Sequence, residues 1–89
     1  MGWTIELAQS ADRELAQLDP PQRKRILTFL RDRLARLDDP RSIGQALRGE
    51  KLGEFWKYRV GDYRLIASIE DRRVLILILR IGHRRQVYR

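Results

Sequence analysis

Three basic side chains crowd the segment Trp56-Lys57-Tyr58-Arg59-Val60-Gly61-Asp62-Tyr63-Arg64. If Gly61-Asp62 is a two-residue hairpin turn, Val60 pairs with Tyr63, Arg59 with Arg64 and Lys57 with Ile66. Side chains alternate across a strand, so Lys57, Arg59 and Arg64 leave one face together. Trp56, Tyr58, Val60, Tyr63, Leu65 and Ala67 leave the other, an apolar surface that helices can cover. Like charges directly opposed across a strand pair are destabilising. Two arginines in that relation either splay into water or form a site where a phosphate supplies the missing negative charge.

A second group ends the chain: Gly82-His83-Arg84-Arg85-Gln86-Val87-Tyr88-Arg89. It offers a titratable imidazole, fixed cations and a flat phenol. Those are the parts needed to move protons, to stabilise charge on a phosphate in a transition state and to stack on a base. By itself the run also describes a basic tail. Glycine at its start permits a sharp departure or a bulge at the rim of a sheet.

The charge distribution favours a polyanion. The net charge is +7, yet residues 1–40 hold seven basic and seven acidic side chains. Residues 41–89 hold twelve and five and so carry the whole excess. A polarised excess draws nucleic acid, an acidic protein or an anionic membrane, and the first is favoured here. There is no cysteine and a single histidine, which removes disulfides, thiolate zinc sites and cysteine nucleophiles and leaves a multi-histidine metal site without ligands. No metal or cofactor is expected. No apolar run approaches the ~20 residues of a membrane helix, and Met1-Gly2-Trp3-Thr4 does not open a secretory signal. The expected compartment is the cytoplasm, with no membrane partner.

The elements that must position these groups follow from periodicity. Trp3, Ile5 and Leu7 alternate with Thr4 and Glu6, as in a short half-buried strand. Ser10 is placed to cap a helix carrying Ala11, Leu15 and Leu18 on one stripe. Asp19-Pro20-Pro21 breaks it and starts a second helix to about Leu37, with Ile26, Leu30, Leu34 and Leu37 inward and mixed charges outward, which reads as solvated surface. The stretch to Gly53 reads as loop with at most one turn of helix. Phe55–Val60, Tyr63–Glu70 and Val74–Ile81 then read as strands, the last aliphatic enough for a central position, with Asp71-Arg72 as the second hairpin turn. The expectation is one α+β domain over residues 1–89, in the order β-α-α-β-β-β. An N-terminal strand is followed by a helical hairpin packed on a mostly antiparallel four-stranded sheet.

Several of these motifs together resemble the RelE/ParE toxin superfamily, and within it the RelE-type mRNA endoribonucleases of toxin–antitoxin pairs. The likeness covers nearly the whole chain. It runs through Ala11-x-Arg13-Glu14-Leu15-x-x-Leu18, Leu47-Arg48-Gly49, the hairpin from Trp56 to Ile66, the aliphatic strand and Ile81-Gly82-His83-Arg84-Arg85-Gln86-Val87-Tyr88. The Tyr-Arg-Val-Gly-Asp-Tyr-Arg run and the Gly-His-Arg-Arg-x-Val-Tyr ending are its most specific parts. The resemblance implies a metal-independent, ribosome-dependent endoribonuclease that enters the ribosomal A site, cuts mRNA and inhibits translation. It also implies a RelB-like antitoxin that covers the active surface. By the same resemblance Lys57 matches the general base, Arg64 the phosphate-holding arginine, Arg84 the group that assists the leaving oxygen and Tyr88 a stacking or proton-handling phenol. Arg59 stands where relatives often have lysine. His83 occupies a position that is often lysine or histidine, and with Arg59 and Arg85 it would bind RNA. The alternatives are a ParE-type gyrase poison, which shares the fold but not the Lys57, Arg64, Arg84, Tyr88 set, and a non-catalytic antitoxin- or RNA-binding module.

Overall fold

Residues 2–47 and 55–85 are described by a computed structural model. Strand β1 (Thr4–Leu7) leads into helix α1 (Gln9–Ala16) and helix α2 (Pro20–Thr28). A two-residue strand β2 (Gln45–Ala46) precedes β3 (Phe55–Val60), β4 (Tyr63–Glu70) and β5 (Leu75–His83). The sheet order is β1-β5-β4-β3-β2. β1 runs parallel to β5 and every other pairing is antiparallel. The α+β class is as the sequence indicated, with one strand more than expected. β2 holds only the pairs Gln45↔Lys57 and Ala46↔Trp56, too short a run for any periodicity to reveal.

One layer of core joins the helices to the sheet. Ala11 and Leu15 from α1, and Ile26, Leu30 and Leu34 from the second helical segment, pack on Tyr58, Val60, Leu65, Ala67, Ile76, Ile78 and Ile81. The stripe Ile26–Leu30–Leu34 stays inward because α2 does not continue as a regular helix. It passes into a π turn at Phe29–Arg33 and a 3-10 turn at Leu34–Arg36. Positions eight apart in a regular α-helix are turned by ~80° from one another. A π turn absorbs one residue and reduces that to ~20°.

The ends of α1 and the course of β5 are linked. Ser10 is not the cap of α1: it lies inside the helix, Ala8 takes the N-cap position, and no side chain caps it. The Ser10 hydroxyl instead donates to the Leu79 carbonyl oxygen at 2.7 Å. That carbonyl needs a partner because β5 bulges there: Ile66 pairs with Arg80 but Ala67 with Ile78, leaving Leu79 out of register. Beyond the bulge the Ile81 N–H donates to the Glu14 carboxylate at 2.9 Å, and Arg80 donates to the same carboxylate through Nε and Nη2. The bulge shifts side-chain parity, so Ile76 and Ile78 before it and Ile81 after it all face the core. It also carries the strand through Gly82 to His83, two residues past the expected end. The β4–β5 connection is longer than a two-residue turn: Asp71–Arg73 form a 3-10 turn and Val74 has left-handed φ of 49°.

Tyr58 secures the chain between the helices and β2. Its ring is wholly buried, and its hydroxyl donates to the Pro40 carbonyl oxygen at 2.7 Å. Pro40 opens a 3-10 turn, Pro40–Ile43, which is the helical turn anticipated in that loop. Burial pushes the Tyr58 hydroxyl up to about 12, while the Arg41 cation acts in the opposite direction. An unfolded tyrosine titrates near ~10. The stability that comes from keeping this phenol neutral is therefore complete below pH ~10 and is lost as pH rises from there through the folded value. Tyr58→Phe should cost about 1–2 kcal/mol at neutral pH, by stranding the Pro40 carbonyl. It should also flatten the fall in urea midpoint between about pH 10 and 12. An unchanged alkaline slope in the variant would refute the assignment.

Candidate active site

The β3–β4 hairpin has the register that its sequence dictates. Val60 faces Tyr63 across the Gly61-Asp62 turn, Arg59 faces Arg64 and Lys57 faces Ile66. Gly61 sits at φ 61°, a conformation side-chain-bearing residues rarely adopt. Tyr58, Val60, Leu65 and Ala67 are buried beneath the helices, and Lys57, Arg59 and Arg64 leave the opposite face.

The two opposed arginines resolve their repulsion unequally. Arg59 is exposed. Arg64 is only 9% exposed, and its Nη1 donates to the Gly61 carbonyl at 3.1 Å and to the Tyr63 carbonyl at 3.0 Å. Two backbone dipoles thus stabilise the guanidinium where a neighbouring cation opposes it. Gly82, its partner on β5, brings no side chain to compete for the space. A guanidinium has five N–H donors. Nη1 supplies the two used here, so among the described residues those on Nη2 and Nε make no hydrogen bond and remain for an anion. Arg64 is a fixed, half-satisfied donor rather than the freely solvated cation that strand alternation alone describes.

Lys57 is half-buried in the middle of β3, flanked by Gln45 on β2 and Ile66 on β4. With Arg59 it lines a cleft of about 150 Å³ whose other wall includes Phe29, Arg33, Gly44 and Gln45. A Cβ on Gly44 would come within 2.9 Å of the Tyr58 ring, so glycine is what lets the chain pass this close. The contribution of Arg33 from the helical layer had no signal in the sequence, because a regular helix would turn it elsewhere.

The C-terminal group divides. The Arg84 backbone N–H donates to the Asp62 carbonyl at 2.8 Å, which ties this exposed residue to the hairpin turn beside Arg64. His83 pairs with Tyr63 and meets its ring edge-on, with centroids 5.9 Å apart, so it shares the helix-side face. There it lines a separate cleft of about 320 Å³ with Glu14, Leu18 and Tyr63. Its Nδ1 accepts the Arg85 backbone N–H at 3.3 Å, and Arg85 is exposed. The structure therefore brings Lys57, Arg59, Arg64 and Arg84 to the hairpin and sets His83 on the other side of the sheet. Tyr88 lies outside the described residues, as does the Arg48-Gly49 part of the loop motif. Among the described residues, no group of three or more His, Asp or Glu side chains could hold a metal ion, and no helix is long and apolar enough to cross a membrane.

A model of the family described as the ParE toxin of the type II toxin–antitoxin system, parDE, matches residues 5–88. The chain belongs to the RelE/ParE superfamily of type II toxins. Toxin RelG of Mycobacterium tuberculosis is 35% identical over 89 residues, covering 100% of this chain and 99% of the relative. The toxin–antitoxin complex RelBE2 of the same organism contains a chain that superposes with a TM-score of 0.85 at 31% identity, covering 93% of this chain and 92% of that one. The archaeal RelE–RelB complex from Pyrococcus horikoshii gives a TM-score of 0.75 at 26% identity over 98% of this chain and 100% of that one. The superfamily toxin fold thus frames the Lys57–Arg59–Arg64 face.

Proposed function

We propose that this toxin is a ribosome-dependent endoribonuclease that cuts mRNA in the A site and stops translation. The observation that carries the reading is the hairpin itself. It sets Lys57 and Arg59 on one face with an Arg64 whose guanidinium is already oriented and retains donors for a phosphate. Cutting RNA this way requires three operations. A base takes the 2′-hydroxyl proton, cations hold the phosphate as the 2′-oxygen bonds to phosphorus, and the 5′-oxygen leaves with a proton as its bond breaks. Lys57 is the base in this scheme, Arg64 holds the phosphate and Arg84, tied to the same turn, stabilises the leaving oxygen by its charge while water supplies the proton. Tyr88 stacks on or orients a base, Arg59 and Arg85 contact RNA around the cut, and any RNA contact of His83 lies on the opposite, helix-side face. No cofactor enters. The site of action is the cytoplasmic ribosome, and the natural partner is a RelB-like antitoxin, as in the solved RelE–RelB complexes.

Primer extension on a reporter mRNA, with purified protein and ribosomes, tests the reading. Cuts inside the reading frame are expected only when ribosomes are present. The family description names a parDE toxin, which favours a second reading as a gyrase poison. Brief induction separates the two: a DNA-damage response that precedes any fall in protein synthesis, with intact mRNA, would establish the second.

A further inference from the structure

The face of the second helical segment that sequence reads as solvated surface carries a basic stripe laid against the sheet. Arg25, Phe29 and Arg33 follow one another at four-residue spacing, and the π turn keeps the two arginines within ~20° of one line. The stripe runs along the edge of β3. Two clefts lie in between: the one beside Lys57, and a second of about 380 Å³ lined by Arg25, Thr28, Asp32, Arg33, Arg59 and Gly61. They share Phe29, Arg33 and Arg59, so they form one groove. Its far end meets the candidate active site again. A Cβ on Gly61 would come within 2.8 Å of Arg25 Nη1, while Arg64 on the other side donates to the Gly61 carbonyl. The turn lies between two guanidiniums, that of Arg25 close by and that of Arg64 bonded to it.

The arginines of the groove are unanswered among the described residues. Among the described residues no ion pair engages Arg25, Arg33 or Arg59. Asp32, the one acid lining it among the described residues, already accepts from Arg31 Nε at 3.1 Å. Planar guanidiniums spaced along a track, above the apolar floor of Phe29, suit successive phosphates better than a point charge would.

We infer that this groove is a second RNA-backbone site. An RNA strand held at Lys57 and Arg64 continues over the edge of β3, and Arg33 and Arg25 grip phosphates outside the scissile one. The inference rests on the nuclease reading and names a further part of its substrate path. These contacts carry no sequence information; they set register and affinity.

The test uses the full chain and ribosomes programmed with an mRNA bearing a 2′-deoxy block at the A-site codon, titrated from low to high salt. Wild type should bind with a steep salt dependence. Arg25→Gln/Arg33→Gln should bind more weakly at low salt, with the slope of log affinity on log salt reduced by about one per arginine. Arg23→Gln, on the same helix but outside the groove, should keep the wild-type slope. A wild-type slope in the double variant, with wild type binding and cutting normally, overturns the inference alone. Weaker antitoxin binding with ribosome affinity intact overturns it too, and gives the groove to the protein partner. Wild-type protein that neither binds nor cuts removes the nuclease reading and this inference together.

Discussion

Lys57→Ala, saturated on mRNA-programmed ribosomes, is expected to cleave ~10²–10⁴-fold more slowly than the parent in a single turnover, the range typical of a lost general base. The expectation depends on where the strand holds the amine. Lys57 is the central residue of a three-strand contact, paired to Gln45 and to Ile66, so its backbone cannot drift when substrate arrives. Its side chain leaves the face that Arg59 and Arg64 share. Truncation at this half-buried position removes no residue of the buried core, so stability should change by no more than about 0.5–1 kcal/mol. Lys57→Arg separates the two roles a lysine can have here. Arginine keeps a cation for the phosphate but cannot give up a proton in a protein. If Lys57 is the base, Lys57→Arg fails as badly as Lys57→Ala. Recovery of most of the rate in Lys57→Arg would make the residue a phosphate contact and move the base elsewhere.

How much of this was legible in the sequence depends on the length scale of each signal. The hairpin was, pair by pair, because Gly61-Asp62 fixes a two-residue turn and the period of two then fixes every facing neighbour. The core stripe of the second helix was also readable. The π turn that keeps it straight was not, since an apolar spacing of four fits a regular helix nearly as well. That one turn is why Arg25 and Arg33 read as solvated surface and yet lie along β3. The bulge at Leu79 left one faint mark. In an otherwise aliphatic strand, unbroken alternation would turn Arg80 to the core with Ile76 and Ile78. What satisfies the backbone groups the bulge releases is Ser10 and Glu14, two residues of the first helix. Ser10 resembles an N-cap in sequence because the same hydroxyl serves either purpose.

Arg64 combines both kinds of information, and its substitution carries the second large expectation. Sequence places it opposite Arg59 on a cationic face, which is correct, but its satisfaction by backbone carbonyls is a property of the folded turn. Arg64→Ala should lower single-turnover cleavage by ~10²–10³-fold, the effect of losing one preorganised donor to a developing negative charge. Because the side chain also braces the turn through Gly61 and Tyr63, the same variant should lose about 1–2 kcal/mol of stability, read from the urea midpoint. Growth inhibition alone would confuse the two losses, so cleavage must be measured well below the variant's unfolding midpoint. Arg64→Lys divides them further. An ammonium can return one carbonyl contact and the charge, but it cannot hold two carbonyls and present a planar fork to a phosphate at once. Stability should therefore return in part while cleavage stays low. A folded Arg64→Ala protein that cuts at the parental rate would remove Arg64 from the phosphate site. Cleavage that falls only in step with the unfolded fraction would leave it as a brace for the Gly61-Asp62 turn and nothing more.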